Sequence, residues 1–337
     1  MRTRAIYGCQ GTELTPEERR FYADAKPWGF ILFARNVSDP DQVRALVASL
    51  RESVGDAQAP VLIDQEGGRV ARLKPPHWRS RPPAARFGAL HAKAPDVARE
   101  AAYLNARLMA RELWELGITI DCVPVLDVPV PGADDVIGDR AFAHDPATII
   151  DLGRAVMDGM QDGGVLTVMK HIPGHGRATA DTHKALPHVT ATLEELSASD
   201  FVPFRSLNHC PLAMTAHVVF DAIDPQRPAT TSPKVIRDII RGEIGFEGVL
   251  LSDDLSMEAL KGPLSVRARA ALFAGCDIVL HCNGSMQEMR DVAGEAKPLS
   301  DQLLRRCDAA LSGLTTPEPL EVETLEARLA QLLEEAA

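Results

Sequence analysis

Eight short apolar runs, rich in β-branched residues and separated by stretches of helical spacing, limit what this chain can fold into. They are Ala5-Ile6-Tyr7, Gly29 to Phe33, Val61-Leu62-Ile63, Ile118 to Val123, Leu166 to Met169, Leu212 to Thr215, Val249-Leu250-Leu251 and Ile278-Val279-Leu280. Runs that are apolar throughout, rather than alternately, fit parallel strands covered on both faces. Helical patterns occupy Pro40 to Ser53, Val97 to Leu116, Ala147 to Asp162 and Pro233 to Gly242. Ser38-Asp39-Pro40 and Ser232-Pro233 each set a capping side chain just before a proline that suits the first helical turn. This alternation predicts an α/β fold, a single (β/α)8 TIM-type barrel that tolerates irregular early strands.

The 337 residues would also accommodate two domains of ~150 residues, but no composition break, linker or repeat marks a boundary. The expected division is a barrel over 1–300 and, over 301–337, C-terminal helices packed on it and split at Thr315 to Pro319. With 45% hydrophobic and 25% charged residues the chain is neither disordered nor rod-like. Its 36 Lys and Arg against 47 Asp and Glu give a net charge of −11. Such a protein repels phosphate backbones and anionic membranes, so neither nucleic acid nor membrane is an expected partner. The six cysteines, Cys9, Cys122, Cys210, Cys276, Cys282 and Cys307, form no Cys-x-x-Cys pair and read as free thiols in a reducing compartment. Gly8, Gln10, Thr12 and Glu13 interrupt any export signal at the N-terminus. No apolar run approaches the ~20 residues that span a bilayer. A soluble cytoplasmic protein is expected.

In a barrel of this kind the chemistry lies where the strands end. After the third run comes Asp64-Gln65-Glu66-Gly67-Gly68-Arg69-Val70-Ala71-Arg72, whose glycines let the backbone approach a ligand closely. The same residues would also make an ordinary turn with Asp64 as its cap. After the fourth run a long segment carries Asp134, Asp135, Asp139 and Arg140; it is either an insertion or a site loop in which Arg140 offers paired planar donors.

The richest cluster follows the fifth run: Lys170-His171-Ile172-Pro173-Gly174-His175-Gly176, then Asp181-Thr182-His183 and His188. Its histidine spacings are not those of a helical zinc pair, and no phosphate-cradling Gly-x-x-x-x-Gly-Lys pattern is present. Asp181 and His183 stand two apart, so in an extended segment both side chains emerge on one side. A carboxylate there would orient the imidazole and raise its pKa, as a general acid near neutral pH needs; a solvated loop histidine is the plainer alternative. After the seventh run, Ser252-Asp253-Asp254-Leu255-Ser256-Met257 puts Asp253 at a strand end as a nucleophile, base or ligand, with Asp254 or Ser256 as a helix cap.

Taken together these segments resemble glycoside hydrolase family 3, and within it the single-domain bacterial β-N-acetylglucosaminidases of peptidoglycan recycling. Ile63 to Val70, Ile137 to Phe142, Lys170 to Gly176, Asp181-Thr182-His183 and Ser252 to Met257 occur in the family's order. Ile172 replaces a common aromatic and Thr182 a common serine, neither of which carries proton chemistry. The resemblance implies a catalytic barrel that acts as a retaining exo-β-N-acetylglucosaminidase (β-N-acetylhexosaminidase). Its substrate would be the non-reducing terminal β-1,4-linked N-acetylglucosamine of peptidoglycan fragments such as GlcNAc-1,6-anhydro-MurNAc, with or without peptide. Asp253 would form the glycosyl-enzyme, and His183, paired with Asp181, would be the general acid and base. Asp64, Arg72, Arg140, Lys170 and His171 would bind the sugar. No metal or cofactor is implied, and the partner is a small muropeptide or disaccharide met by a monomer. Phosphorolysis on the same scaffold, a β-glucosidase and a non-catalytic carbohydrate-binding barrel are the competing expectations.

Overall fold

Parallel pairing closes eight strands into one barrel in a computed structural model that describes residues 1–178 and 186–334. The strands are β1 (Thr3–Tyr7), β2 (Pro27–Leu32), β3 (Val61–Ile63), β4 (Ile120–Asp121), β5 (Leu166–Ile172), β6 (Leu212–Thr215), β7 (Val249–Asp254) and β8 (Ile278–His281). Each overlaps one of the eight apolar runs, and each pairs with its sequence neighbours, β8 returning to β1. The expected (β/α)8 fold is what forms.

Strand β4 is the shortest, for a local reason. Cys122 still donates to Ile63 O at 2.9 Å, but two residues on Pro124 has no N–H to give. Pairing then resumes across an isolated bridge between Val125 and Lys170.

Inward-facing side chains, including Ile6, Leu62, Ile120, Val168, Leu212 and Leu251, fill the barrel as one cluster. Leu299, Leu303, Cys307 and Ala310 belong to that cluster too. The helix Asp301–Leu311 therefore stoppers the end of the barrel where the strands begin, and ligands are confined to the opposite mouth. The last helix, Val322–Glu334, buries Leu329 and Leu332 and packs beside Pro95–Glu115, with Glu326 on the buried Arg81 guanidinium at 2.8 Å.

Helix starts follow their capping chemistry. Asp39 accepts from Gln42 N at 2.9 Å ahead of helix Pro40–Val54, and Ser232 Oγ accepts from Val235 N at 3.2 Å. The segment expected to be an α-helix from Pro233 to Gly242 instead winds as a π-helix over Val235–Glu243, burying Val235, Ile236, Ile239 and Ile240. All six cysteines are free and buried, and no helix among the described residues is long and apolar enough to cross a membrane.

Candidate active site

The loop after β3 turns back on itself at Gly67 and Gly68, whose φ angles of 94° and 54° favour glycine. A Cβ on Gly67 would also lie 2.4 Å from Pro82 O. Gln65 clasps the turn through its side chain, accepting from Arg72 N at 2.8 Å and Leu73 N at 3.0 Å. That fold-back sets Arg72 Nη2 3.1 Å from Asp64 Oδ2, and the Arg72 guanidinium also lies over the Phe33 ring, 5.1 Å from its centroid. From β5, Lys170 reaches Asp64 at 2.9 Å and Glu66 at 2.6 Å. Glu66 in turn holds Arg140 with both oxygens, each at 2.8 Å.

Two carboxylates and three cations thus share one buried cluster. Burial would push the Asp64 and Glu66 carboxyls up, but Lys170 with Arg72 or Arg140 outweighs it and holds both below the usual range. The same carboxylates keep the Lys170 ammonium charged despite burial, which would lower its pKa. The cap reading of Asp64 therefore gives way to an ion-pair role. Arg140 is brought to the cavity wall, but Glu66 occupies the paired donors that the sequence left open for ligand oxygens. Its loop is pinned from outside by Arg69, which donates to Asp139 at 2.9 Å and to Asp135 O, Val136 O and Ile137 O.

His171 is oriented by a residue that sequence reasoning passed over. Asp127, fully buried, lies 2.7 Å from His171 Nδ1. Its other oxygen accepts from His175 N at 2.7 Å and His171 N at 3.2 Å. Burial works against its ionised form, but the His171 ring outweighs burial and keeps the Asp127 carboxyl low.

Asp253 lies near the end of β7, where Asp254 N donates to its Oδ1 at 2.8 Å. Burial favours its protonated form, yet His217, His171 and that N–H together hold the carboxyl below its usual value, as a nucleophile requires. His217, just past β6, is fully buried; its Nε2 lies 3.0 Å from Asp254 O and its Nδ1 2.7 Å from Thr230 Oγ1. Asp254 is no helix cap, because the next helix starts only at Leu264. It accepts from Ser256 N at 3.1 Å and Cys282 N at 3.2 Å, bracing the strand end that carries Asp253.

A cavity of about 270 Å³ opens at this mouth, lined by Asp64, Arg72, Arg140, Lys170, His171 and Asp253, with Glu66 and His175 also on its wall. Asp181 and His183 lie outside the described residues. The structure therefore brings together six of the eight residues nominated from sequence and adds Glu66, Asp127, His175 and His217. Asp127 and His217 follow strand ends, so a strand-end search extended to single polar residues would have found them. Among the described residues no group of three or more His, Cys, Asp or Glu side chains is arranged to hold a metal ion. A neutral ligand dense in hydroxyls fits the donors and acceptors that remain.

Comparison with known proteins agrees. The glycosyl hydrolase family 3 N terminal domain model matches residues 12–308. A beta-hexosaminidase of Alkalilimnicola ehrlichii is 43% identical over 284 residues, covering 82% of this chain and 80% of that one. A beta-hexosaminidase of Pseudomonas aeruginosa is 41% identical over 276 residues, covering 81% of this chain and 80% of its own. Among solved structures, NagZ from Neisseria gonorrhoeae in complex with N-trifluoroacetyl-D-glucosamine superposes with a TM-score of 0.88 at 31% identity, covering 100% of this chain and 98% of that one.

Proposed function

The chain belongs to glycosyl hydrolase family 3 and is a glycoside hydrolase of the β-N-acetylhexosaminidase kind; from that premise we propose a retaining exo-β-N-acetylglucosaminidase acting on peptidoglycan fragments. The Asp253 carboxylate attacks the anomeric carbon while the bond to the leaving oxygen breaks, and His183, paired with Asp181, delivers the proton that oxygen needs. Water then attacks the glycosyl-enzyme, gives its proton back to His183, and frees the sugar with its starting β configuration. The observation that carries this reading is Asp253 itself: an ionised carboxylate at a barrel strand end, on one cavity wall with Asp64, Lys170 and His171.

Asp64, Arg72, Arg140, Lys170 and His171 hold the terminal sugar in this reading, with Asp64 taking its hydroxyls. The NagZ structure that holds N-trifluoroacetyl-D-glucosamine supports an acetamido sugar as the ligand class. The substrate is the disaccharide GlcNAc-1,6-anhydro-MurNAc, with or without its peptide, met by a monomer in the cytoplasm.

Turnover of aryl β-N-acetylglucosaminide, glucoside and N-acetylgalactosaminide, with and without phosphate, tests the proposal. We expect the first to be preferred, free N-acetylglucosamine to be the product in both conditions, β anomer to appear first by NMR, and Asp253→Ala to abolish turnover. A sugar 1-phosphate product, an α anomer first, or a preference for the glucoside would overturn it.

A further inference from the structure

The last helix, Val322–Glu334, lines no part of the cavity, yet it holds the loop that lends Asp64, Glu66 and Arg72 to it. Glu326 grips the Arg81 guanidinium with both oxygens, at 2.8 and 3.2 Å, and Glu112 of helix Pro95–Glu115 accepts from it at 2.6 Å. The Arg81 side chain is 3% exposed, and a cation buried so deeply depends on its anions. Arg79 to Pro83 lie in no helix or strand, and Pro82 and Pro83 have no N–H to give. The Arg81 side chain, forked onto two helices, is therefore what fastens this segment.

The fastened segment is in turn the seat of the turn after β3. Gly68 N donates to Arg81 O at 2.9 Å. A Cβ on Gly67 would lie 2.4 Å from Pro82 O and one on Gly68 2.7 Å from Pro83 Cβ, so the two backbones touch with no space between them. Gln65 closes the turn on itself, accepting from Arg72 N and Leu73 N and donating to Leu73 O at 3.1 Å. A turn closed in this way shifts as one piece, carrying Glu66 and Arg72 with it.

We propose that Glu326 is a positioning residue for the sugar site: it holds Arg81, Arg81 seats the turn at Gly67 and Gly68, and the turn sets Glu66 and Arg72 at the cavity wall. The inference rests on the reading of this cavity as the sugar site. A misplacement of about 1 Å caused far from the chemistry can cost ~10²-fold, so Glu326→Ala is expected to lower kcat/KM roughly 10- to 100-fold.

The test compares Glu326→Ala and Glu326→Gln with Leu332→Ala, which removes a buried contact of the same helix and leaves the Arg81 ion pairs in place. The melting temperature, KM and kcat on an aryl β-N-acetylglucosaminide, and inhibition by N-acetylglucosamine are read for each. Glu326→Ala should raise KM and weaken inhibition, and Glu326→Gln, which keeps an oxygen for Arg81, should recover part of both. Leu332→Ala should melt lower yet match the wild type in KM and inhibition below its transition. Because Glu326 acts through the turn that carries Arg72, the double variant Glu326→Ala with Arg72→Ala should lose less than the product of the two single losses, whereas independent effects multiply. Wild-type KM and inhibition in Glu326→Ala overturn the proposal, as do losses that Leu332→Ala reproduces or that multiply in the double variant. Should Glu326→Ala fail to fold, Glu326→Gln takes its place: weaker inhibition than in Leu332→Ala supports the positioning role, and wild-type inhibition overturns it. A wild type inactive on the aryl hexosaminide and indifferent to N-acetylglucosamine would remove the functional reading together with this one. An active wild type with unaffected Glu326 variants removes this one alone.

Discussion

Glu66 grips the Arg140 guanidinium with both carboxylate oxygens at 2.8 Å, joining the loop after the third strand to the long loop after the fourth. The same carboxylate lies 2.6 Å from the Lys170 ammonium, and its side chain is 6% exposed. Removing one member of a buried charge cluster strands the others, at a cost of about 3–5 kcal/mol. Glu66→Ala is therefore expected to lower the unfolding free energy by about that much in urea titration, and to reduce kcat/KM as Arg140 and Lys170 lose their anchor. Glu66→Gln keeps the shape and should lose less on both counts. An unchanged urea midpoint for Glu66→Ala would show that the cluster tolerates solvent.

Asp127 and His171 form a second such unit. With the Asp127 carboxylate 2.7 Å from Nδ1, the proton of a neutral His171 ring is drawn to Nδ1, leaving Nε2 as an acceptor. Asp127→Asn weakens that preference and replaces a charge-assisted bond worth about 1.5–3 kcal/mol. Its expected effect is a fall in kcat/KM of roughly 10- to 100-fold, with inhibition by N-acetylglucosamine weakened in parallel. A variant that loses stability but keeps the wild-type pH–rate profile would make Asp127 a packing residue only.

The barrel was legible because each of its strands overlaps a short apolar run, and the strand-end rule then pointed to Asp64, Lys170, His171 and Asp253. What stayed hidden was pairing across the mouth. Glu66 stands within a quoted motif, yet nothing local says that its partners are Lys170 and Arg140, 104 and 74 positions away in the chain. Asp127 and His217 are single polar residues among apolar neighbours, a pattern that fits a buried structural group equally well. The winding of Val235–Glu243 was missed for a different reason: an apolar stripe of Val235, Ile236, Ile239 and Ile240 fits an α-helix and a π-helix alike.

Acid should destabilise this fold. The Asp64, Glu66 and Asp127 carboxyls sit below their usual pKa because nearby cations outweigh burial. A group whose folded pKa is depressed contributes stability that is complete above its unfolded value of about 4 and is lost as pH falls through the folded one. Asp121 runs the other way: burial raises its carboxyl well above normal, so it gains stability as pH falls through that raised value. Asp253 is also held low, and Glu112 and Asp200 are raised like Asp121, so the depressed carboxyls still outnumber the raised ones and leave a net loss. Urea titrations should show the unfolding free energy falling first below about pH 6.5, where the unfolded chain protonates His175, His217 and His281 that burial keeps neutral, and further below about pH 4. Asp64→Asn should flatten that second decline while lowering stability at neutral pH. A decline of equal slope in Asp64→Asn would remove Asp64 from the account.

The proposed acid and base, His183, can be separated from the nucleophile by varying the leaving group. A sugar alkoxide departs poorly without a proton, whereas a nitrophenolate leaves unaided, so general acid catalysis matters only for the first. His183→Ala should therefore lose ~10²–10⁴-fold on a natural disaccharide and far less in the glycosylation step of a nitrophenyl substrate. There the glycosyl-enzyme should accumulate as a burst, because the same residue also activates water in the second step. Asp181→Asn should follow the same pattern more mildly if its carboxylate only orients and charges the ring. Asp253→Ala, in contrast, should lose both substrates alike. Equal losses on disaccharide and nitrophenyl substrate in His183→Ala, with no burst, would reduce His183 to a residue that positions sugar.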